Sequence, residues 1–226
     1  MLEALAATPS LIDQAYLRVL ESITDGTLAP GQRIRQAELA ETLGVSRQPI
    51  SHALHLLKRQ GLVEDAGRRG LRVVPIDAGR VLQLYQVRAA IDMLAAELAA
   101  RQVAAHAAPA SILDRLAAQI ADAAAFSPGT PIAVRVRADA DFHRSLYELS
   151  GNPVISEMME PLWPHMMRSM ATLLHAPGYA ARIWQEEHPA ILRAIRAGDA
   201  GAAQAAAHAH AEAAGQRTAA QLTQAA

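Results

Sequence analysis

The chain has 226 residues, 51% of them apolar, with a net charge of −1 and no cysteine. That length suits one large domain or two small ones. The lack of cysteine excludes disulfides, thiolate metal sites and a cysteine nucleophile, and fits a reducing cytoplasm. No apolar run approaches the roughly 20 residues of a membrane span. The opening residues lack the basic-then-apolar layout of a signal peptide, with Glu3 where a positive charge belongs. The expectation is a soluble cytoplasmic protein with no membrane partner.

Ser10 can cap a helix that runs to about Asp25, where Asp25-Gly26 ends it. Pro30-Gly31 marks a turn. Gln36 to Leu43 reads as a short helix broken by Gly44. Ser46 can cap the next, which ends near Gln60-Gly61, with Val45 and Ile50 as a hydrophobic staple and Pro49 in the first turn. Two short β-like runs, Leu62–Glu64 and Leu71–Ile76, flank Ala66-Gly67-Arg68-Arg69-Gly70 and predict a hairpin. From residue 77 alanine dominates. Six helices are expected, near 78–105, 109–125, 131–150, 153–174, 178–197 and 199–222, separated by Pro- and Gly-containing breaks. The fold class is mainly α. A winged helix-turn-helix with three helices and a small β-hairpin wing occupies 1–76, and an all-α bundle of six or seven helices occupies 77–226. The Ala-rich tail should be ordered over at least its first half, because its helix propensity is high.

Charge is informative once divided. Residues 44–72 hold six basic side chains against two acidic ones, inside a nearly neutral chain. A local basic patch is what a small DNA-reading module needs. The second helix of the pair would offer Ser46, Arg47, Gln48 and Ser51 to the major groove. Arginine is the commonest reader of guanine. Arg68, Arg69 and Arg72 on the wing can reach the backbone or the minor groove, and Arg35 ahead of the helix pair joins the candidate DNA-binding set. The competing reading is a generic helix pair with a solvated charged face.

Residues 15–76 resemble the GntR superfamily of bacterial regulators. The stretches that carry the resemblance are Gly26–Gly31, Glu38–Arg47, Pro49-Ile50, Ala53-Leu54 and Gly61–Val63. In that family the residues matching Ser46 and Arg47 contact the operator, and the one matching Gly70 lies against the minor groove. One departure stands out. The family usually has Arg-Glu after Pro49-Ile50, and this chain has Ser51-His52, so the usual operator is not implied.

In the second half, Asp139 and His143 stand four apart and share a helix face. His188 begins a helical segment and His210 lies in the last helix. A carboxylate and three imidazoles can hold a divalent first-row ion. They can equally be a surface pair and solvated histidines. Residues 78–212 resemble the FCD domain of the FadR-type subgroup, carried by Asp139-x-Asp141-Phe142-His143, Ser150–Pro153, Glu187-His188, Ile191, Ala194-Ile195, Gly198-Asp199, Ala203 and His210. The resemblance implies that Asp139, His143, His188 and His210 bind a metal such as zinc, nickel or manganese, one per chain. It also implies two open positions for a small organic-acid or sugar-acid effector, and a homodimer acting on a double-stranded operator, usually as a repressor. Arg88 is the candidate partner of an effector carboxylate, with a salt bridge to Asp92 as its alternative. Asn152 and His165 are further effector candidates, and Asn152 can instead cap the helix begun by Pro153. Arg137 is a weaker candidate. His208, two residues from His210, points elsewhere. The Trp and Met side chains near 158–184 read as core or pocket wall. Two rivals remain: a metal-dependent hydrolase, favoured if Asp141 turns inward as a second carboxylate, and a metal-free regulator of an acyl-type ligand.

Overall fold

The computed structural model describes residues 10–67, 70–173 and 182–224, with the main chain also described at 174. Arg68 and Arg69 of the expected wing, and residues 178–181 of the expected fifth bundle helix, lie outside the described residues. The chain divides into two compact units, one ending at Pro75 and the other starting at Ile76.

In the first unit, α1 (Leu11–Thr24) opens with a full capping box. Ser10 Oγ accepts from Asp13 N–H, and the Asp13 carboxylate accepts from Ser10 N–H. After α2 (Gln36–Thr42), Gly44 sits at φ +65°, a left-handed turn that a side chain would strain. α3 (Arg47–Arg59) follows and buries Ile50, Ala53, Leu54 and Leu57 against α1. The hairpin strands are β2 (Val63–Asp65) and β3 (Leu71–Val73). They are joined by β1 (Arg33–Ile34), giving an antiparallel sheet of order β1-β3-β2. No sequence pattern predicts this third strand. It is two residues long, too short to alternate, and Ile34 alone is buried in it.

The second unit is helical throughout its described residues: α4 (Ala78–Ala104), α5 (Ala110–Ala124), α6 (Ile132–Leu149), α7 (Pro153–Met159) and α8 (Trp163–Leu174). A π-helical turn (Ile183–Glu187) then leads into α9 (His188–Arg196) and α10 (Ala200–Gln224). The single helix expected over 153–174 is two. Pro161 and Pro164 lack the amide hydrogens a continuous ladder requires, and a 3-10 turn over Glu160–Leu162 bridges them. Trp163, Trp184, Met159, Met166 and Met170 are core as expected, but Met158 is exposed.

The alanine-rich tail is ordered well past its first half, because α10 packs along α4 through small residues. Ala203, Ala207, Ala211 and Ala214 are buried on one helix, and Ala95, Ala96, Ala99 and Ala100 on the other. Gly215 marks the closest approach: a Cβ there would lie 2.6 Å from Tyr85 Cβ. Gly215→Ala should therefore force the helices apart and lower stability by about 1–3 kcal/mol, as overpacking does. Chemical denaturation reads this directly, and an unchanged midpoint would contradict the contact.

Candidate functional site

On the first unit, Ser46 has the extended backbone of a cap (φ −70°, ψ 166°) but makes no side-chain cap bond. The first turn of α3 carries no acidic residue. Ser46, Arg47, Gln48 and Ser51 are all exposed. The start of this helix is thus uncapped by any side chain and exposed, and it carries Arg47, an arrangement suited to phosphate. Elsewhere the basic patch is partly neutralised within the fold: Lys58 pairs with Asp65, Arg72 with Glu64, and Arg35, at the start of α2, with Glu38, each at 2.7 Å. Arg47 has no ion pair among the described residues. Gly70 stands half-buried where β3 begins.

In the second unit α6 supplies Asp139 and His143 one turn apart. His188 comes from the start of α9 and His210 from α10. All four are buried, at 4%, 0%, 0% and 4% exposure. Ligand atoms of the three imidazoles lie within 4.8 Å of one another. Asp139 Oδ1 is 3.6 Å from His188 Nε2, too long for a hydrogen bond. Two ligand atoms about 2.1 Å from a shared ion would stand roughly 3.4 Å apart, so the spacing fits an ion between them. Asp139 Oδ1, both ring nitrogens of His188 and Nε2 of His210 are buried without a hydrogen-bond partner. Orphaned acceptors of this kind, converging from three elements, match the donor set of a divalent metal.

The π-helical turn has a local cause. Pro189 has no amide hydrogen and its ring crowds the preceding turn, while His188 N–H reaches back five residues to the Ile183 carbonyl. The turn brings Glu187 under α10, where its carboxylate lies 2.8 Å from His210 Nδ1 and 2.9 Å from an Arg217 nitrogen. A carboxylate on Nδ1 keeps the proton there and leaves Nε2 as an inward lone pair, the usual outer support of a metal-bound histidine. Burial pushes the Glu187 carboxyl up, but its bonds to His210 and Arg217 outweigh this and hold it below the ordinary range. The sequence alone assigns Glu187 no role. Its position next to His188 is the one available signal.

Arg88 on α4 is 1% exposed. Its Nε donates to Asp92 Oδ2 at 3.1 Å, and an Nη contacts His143 Nε2. Tyr147 donates its hydroxyl to Asp92 Oδ1 at 2.5 Å. The salt-bridge reading of Arg88 therefore holds here, inside the core and beside the histidines. A cavity with room for about one water is lined by Tyr85, Arg88, Asp139, Met170, His210 and neighbours. His165 is not in its wall. Asn152 caps α7, its Oδ1 accepting from Val154 N–H at 3.2 Å. Arg137 is exposed, and His208 is exposed and paired with Glu212. Asp141 faces outward, paired with Arg144 at 3.2 Å, so no second carboxylate of the hydrolase reading turns inward at this position.

Burial, reinforced by the Arg88 charge and neighbouring imidazoles, holds His143 and His188 well below the usual histidine range. Burial pushes Asp139 up despite Arg88. Below about pH 6.5 the unfolded chain protonates both histidines while the fold keeps them neutral. Stability of the metal-free protein should then fall with falling pH, by up to about 1.4 kcal/mol per pH unit for each histidine. Asp139, protonating first in the fold, acts in the opposite sense. Melting in chelator between pH 7 and 5 tests this, and a flat profile would contradict neutral buried imidazoles.

Residues 11–73 match the gntR family of bacterial regulatory proteins, and residues 83–213 match the FCD domain. The HTH-type transcriptional regulator YdhC of Bacillus subtilis is 31% identical over 65% of this chain, a match spanning 64% of that protein's length. The probable D-xylose utilization operon transcriptional repressor of Paenarthrobacter nicotinovorans is 26% identical, over 80% of this chain and 76% of that protein. McbR/YncC of E. coli shares the fold, with a TM-score of 0.75 at 23% identity, covering 96% of this chain and 99% of that one. An uncapped recognition-type helix beside a small sheet, and a helical unit enclosing an Asp/His cluster, accompany these matches: the chain belongs to the GntR family of bacterial regulators and carries a C-terminal FCD domain.

Proposed function

We propose that this DNA-binding transcriptional regulator is a cytoplasmic homodimeric repressor, controlled by a small carboxylate effector held near a divalent ion in its FCD domain. The observation that carries the control site is the convergence of Asp139, His143, His188 and His210, with orphaned acceptor atoms, in one buried cluster. Those four residues would hold the ion, and Glu187 would fix the His210 tautomer. The ion supplies Lewis-acid positions that anchor a carboxylate. Arg88 lines the adjacent cavity as a buried, permanently charged guanidinium. The repressor assignment draws on the Paenarthrobacter relative. A dimer would suit a palindromic operator, and exposed Leu82, Val87 and Leu94 on α4 offer apolar surface for it. Effector control follows from linkage: a ligand shifts DNA affinity only by its differential affinity for the bound and unbound forms.

On the DNA side, Ser46, Arg47, Gln48 and Ser51 would meet the major groove, with Arg35, Arg68, Arg69 and Gly70 flanking it. The test is operator selection from a random duplex library, followed by gel-shift titration. Arg47→Ala should weaken binding by about 1–3 kcal/mol and relax preference at one base pair. Failure of the wild type to enrich any sequence would overturn the DNA assignment. Turnover of a hydrolysable ester by the zinc-loaded protein would favour the enzyme alternative.

A further inference from the structure

A neutral imidazole has one N–H and one lone pair. The group against His143 Nε2 is an Arg88 Nη, which can only donate, so Nε2 carries the lone pair and the proton sits on Nδ1. That Nδ1 edge lies nearest Asp92 Oδ2, at 3.5 Å and without a hydrogen bond. A metal ligated by His143 in this tautomer needs that same lone pair. We infer that Arg88 and a divalent ion compete for His143 Nε2, so that loading the site displaces one arm of the guanidinium into the cavity beside it.

The surroundings allow the exchange without unfolding. Arg88 keeps its Nε bond to Asp92 as a pivot, and Asp92 is itself held by Tyr147. The displaced arm has somewhere to go: the small cavity borders Arg88, Tyr85 and Asp139, and the guanidinium already lies 5.3 Å from the Tyr85 ring centre. No proton needs to move, since Nδ1 keeps its hydrogen toward Asp92. Charge sets the consequence. A guanidinium stays ionised when buried, so adding a dication places three positive charges near Asp92 and Asp139. Arg88 thus weakens metal binding in the absence of an anion. The cavity holds about one water, so a small carboxylate must widen it to reach the freed N–H donors, and on doing so would offset that charge. Metal and carboxylate then bind cooperatively, each strengthening the other by the same factor. This inference rests on the metal reading proposed above.

The test is Zn²⁺ affinity of the full chain, by competition with a chromophoric chelator, with and without acetate as the carboxylate probe. Arg88→Lys keeps a cation for Asp92 but lacks the second arm. Arg88→Leu with Asp92→Asn removes the guanidinium, keeps charge balance and leaves Tyr147 an acceptor, so at least one variant should fold. Losing a competing charge-assisted bond should tighten Zn²⁺ binding by about tenfold in each. Acetate should tighten it in the wild type and have no effect in the double variant. Zn²⁺ uptake by the variants but not the wild type would support competition in its strongest form. Uptake by all three chains within twofold of one another would overturn the exchange and leave the metal reading intact. No uptake by any chain would overturn both.

Discussion

Purified wild-type protein is expected to carry about one divalent ion per chain, and the His143→Ala, His188→Ala double variant to carry none. The expectation follows from geometry. Removing two of four converging ligands leaves Asp139 and His210, which come from different helices and cannot enclose an ion. Metal should also stabilise the fold, by about 2.7 kcal/mol at a hundredfold excess over its dissociation constant. Elemental analysis and melting with added zinc, nickel or manganese read both effects. Glu187→Gln tests the supporting bond. It keeps an oxygen that can accept from His210 Nδ1 but removes the charge, and affinity should drop by about 10–100-fold. A wild type and an Arg88→Lys variant that both take up none of the three metals would end the metal reading. The DNA-binding unit would be untouched by that result, because its exposed recognition residues stand on a unit with its own hydrophobic core.

Periodicity and caps make most of the fold legible. Ser10 announces α1, Gly44 the tight turn, and the Pro- and Gly-containing breaks the bundle helices. A spacing of four between Asp139 and His143 is enough to put both on one helix face. Three features escape such patterns. β1 is too short to carry one, and its pairing with β3 is a long-range event. Pro161 and Pro164 signal the break between α7 and α8, but the apolar periodicity either side conceals it. The π-helical turn depends on Pro189 following His188, and with it Glu187 changes from an anonymous surface acid to the partner of His210. Arg88 has two candidate partners in the linear chain, an effector carboxylate and Asp92. Asp92 is its partner here, and only three-dimensional packing could add His143, 55 residues away.

Asp92→Ala should be among the most damaging single substitutions in the helical unit, destabilising it by about 3–5 kcal/mol. Arg88 and Asp92 are each 1% exposed, so removing the carboxylate strands a guanidinium that cannot shed its charge. Arg88 is held above even its ordinary range: burial opposes the charge, and Asp92, joined by Tyr85, Tyr147 and Asp139, more than compensates. The same substitution leaves the Tyr147 hydroxyl without its acceptor and His143 Nδ1 without its facing carboxylate. Arg88→Leu combined with Asp92→Asn should be less destabilised than Asp92→Ala, because no buried charge is left unpaired. Urea unfolding at constant slope measures the difference. If Asp92→Ala costs under about 1 kcal/mol, the pair is solvated rather than buried. That outcome would remove the pivot on which Arg88 turns. If the cost is as large as expected, the pair is too strongly held to be present for surface charge alone, and Asp92 is the fixed point from which Arg88 can reach either His143 or an incoming anion.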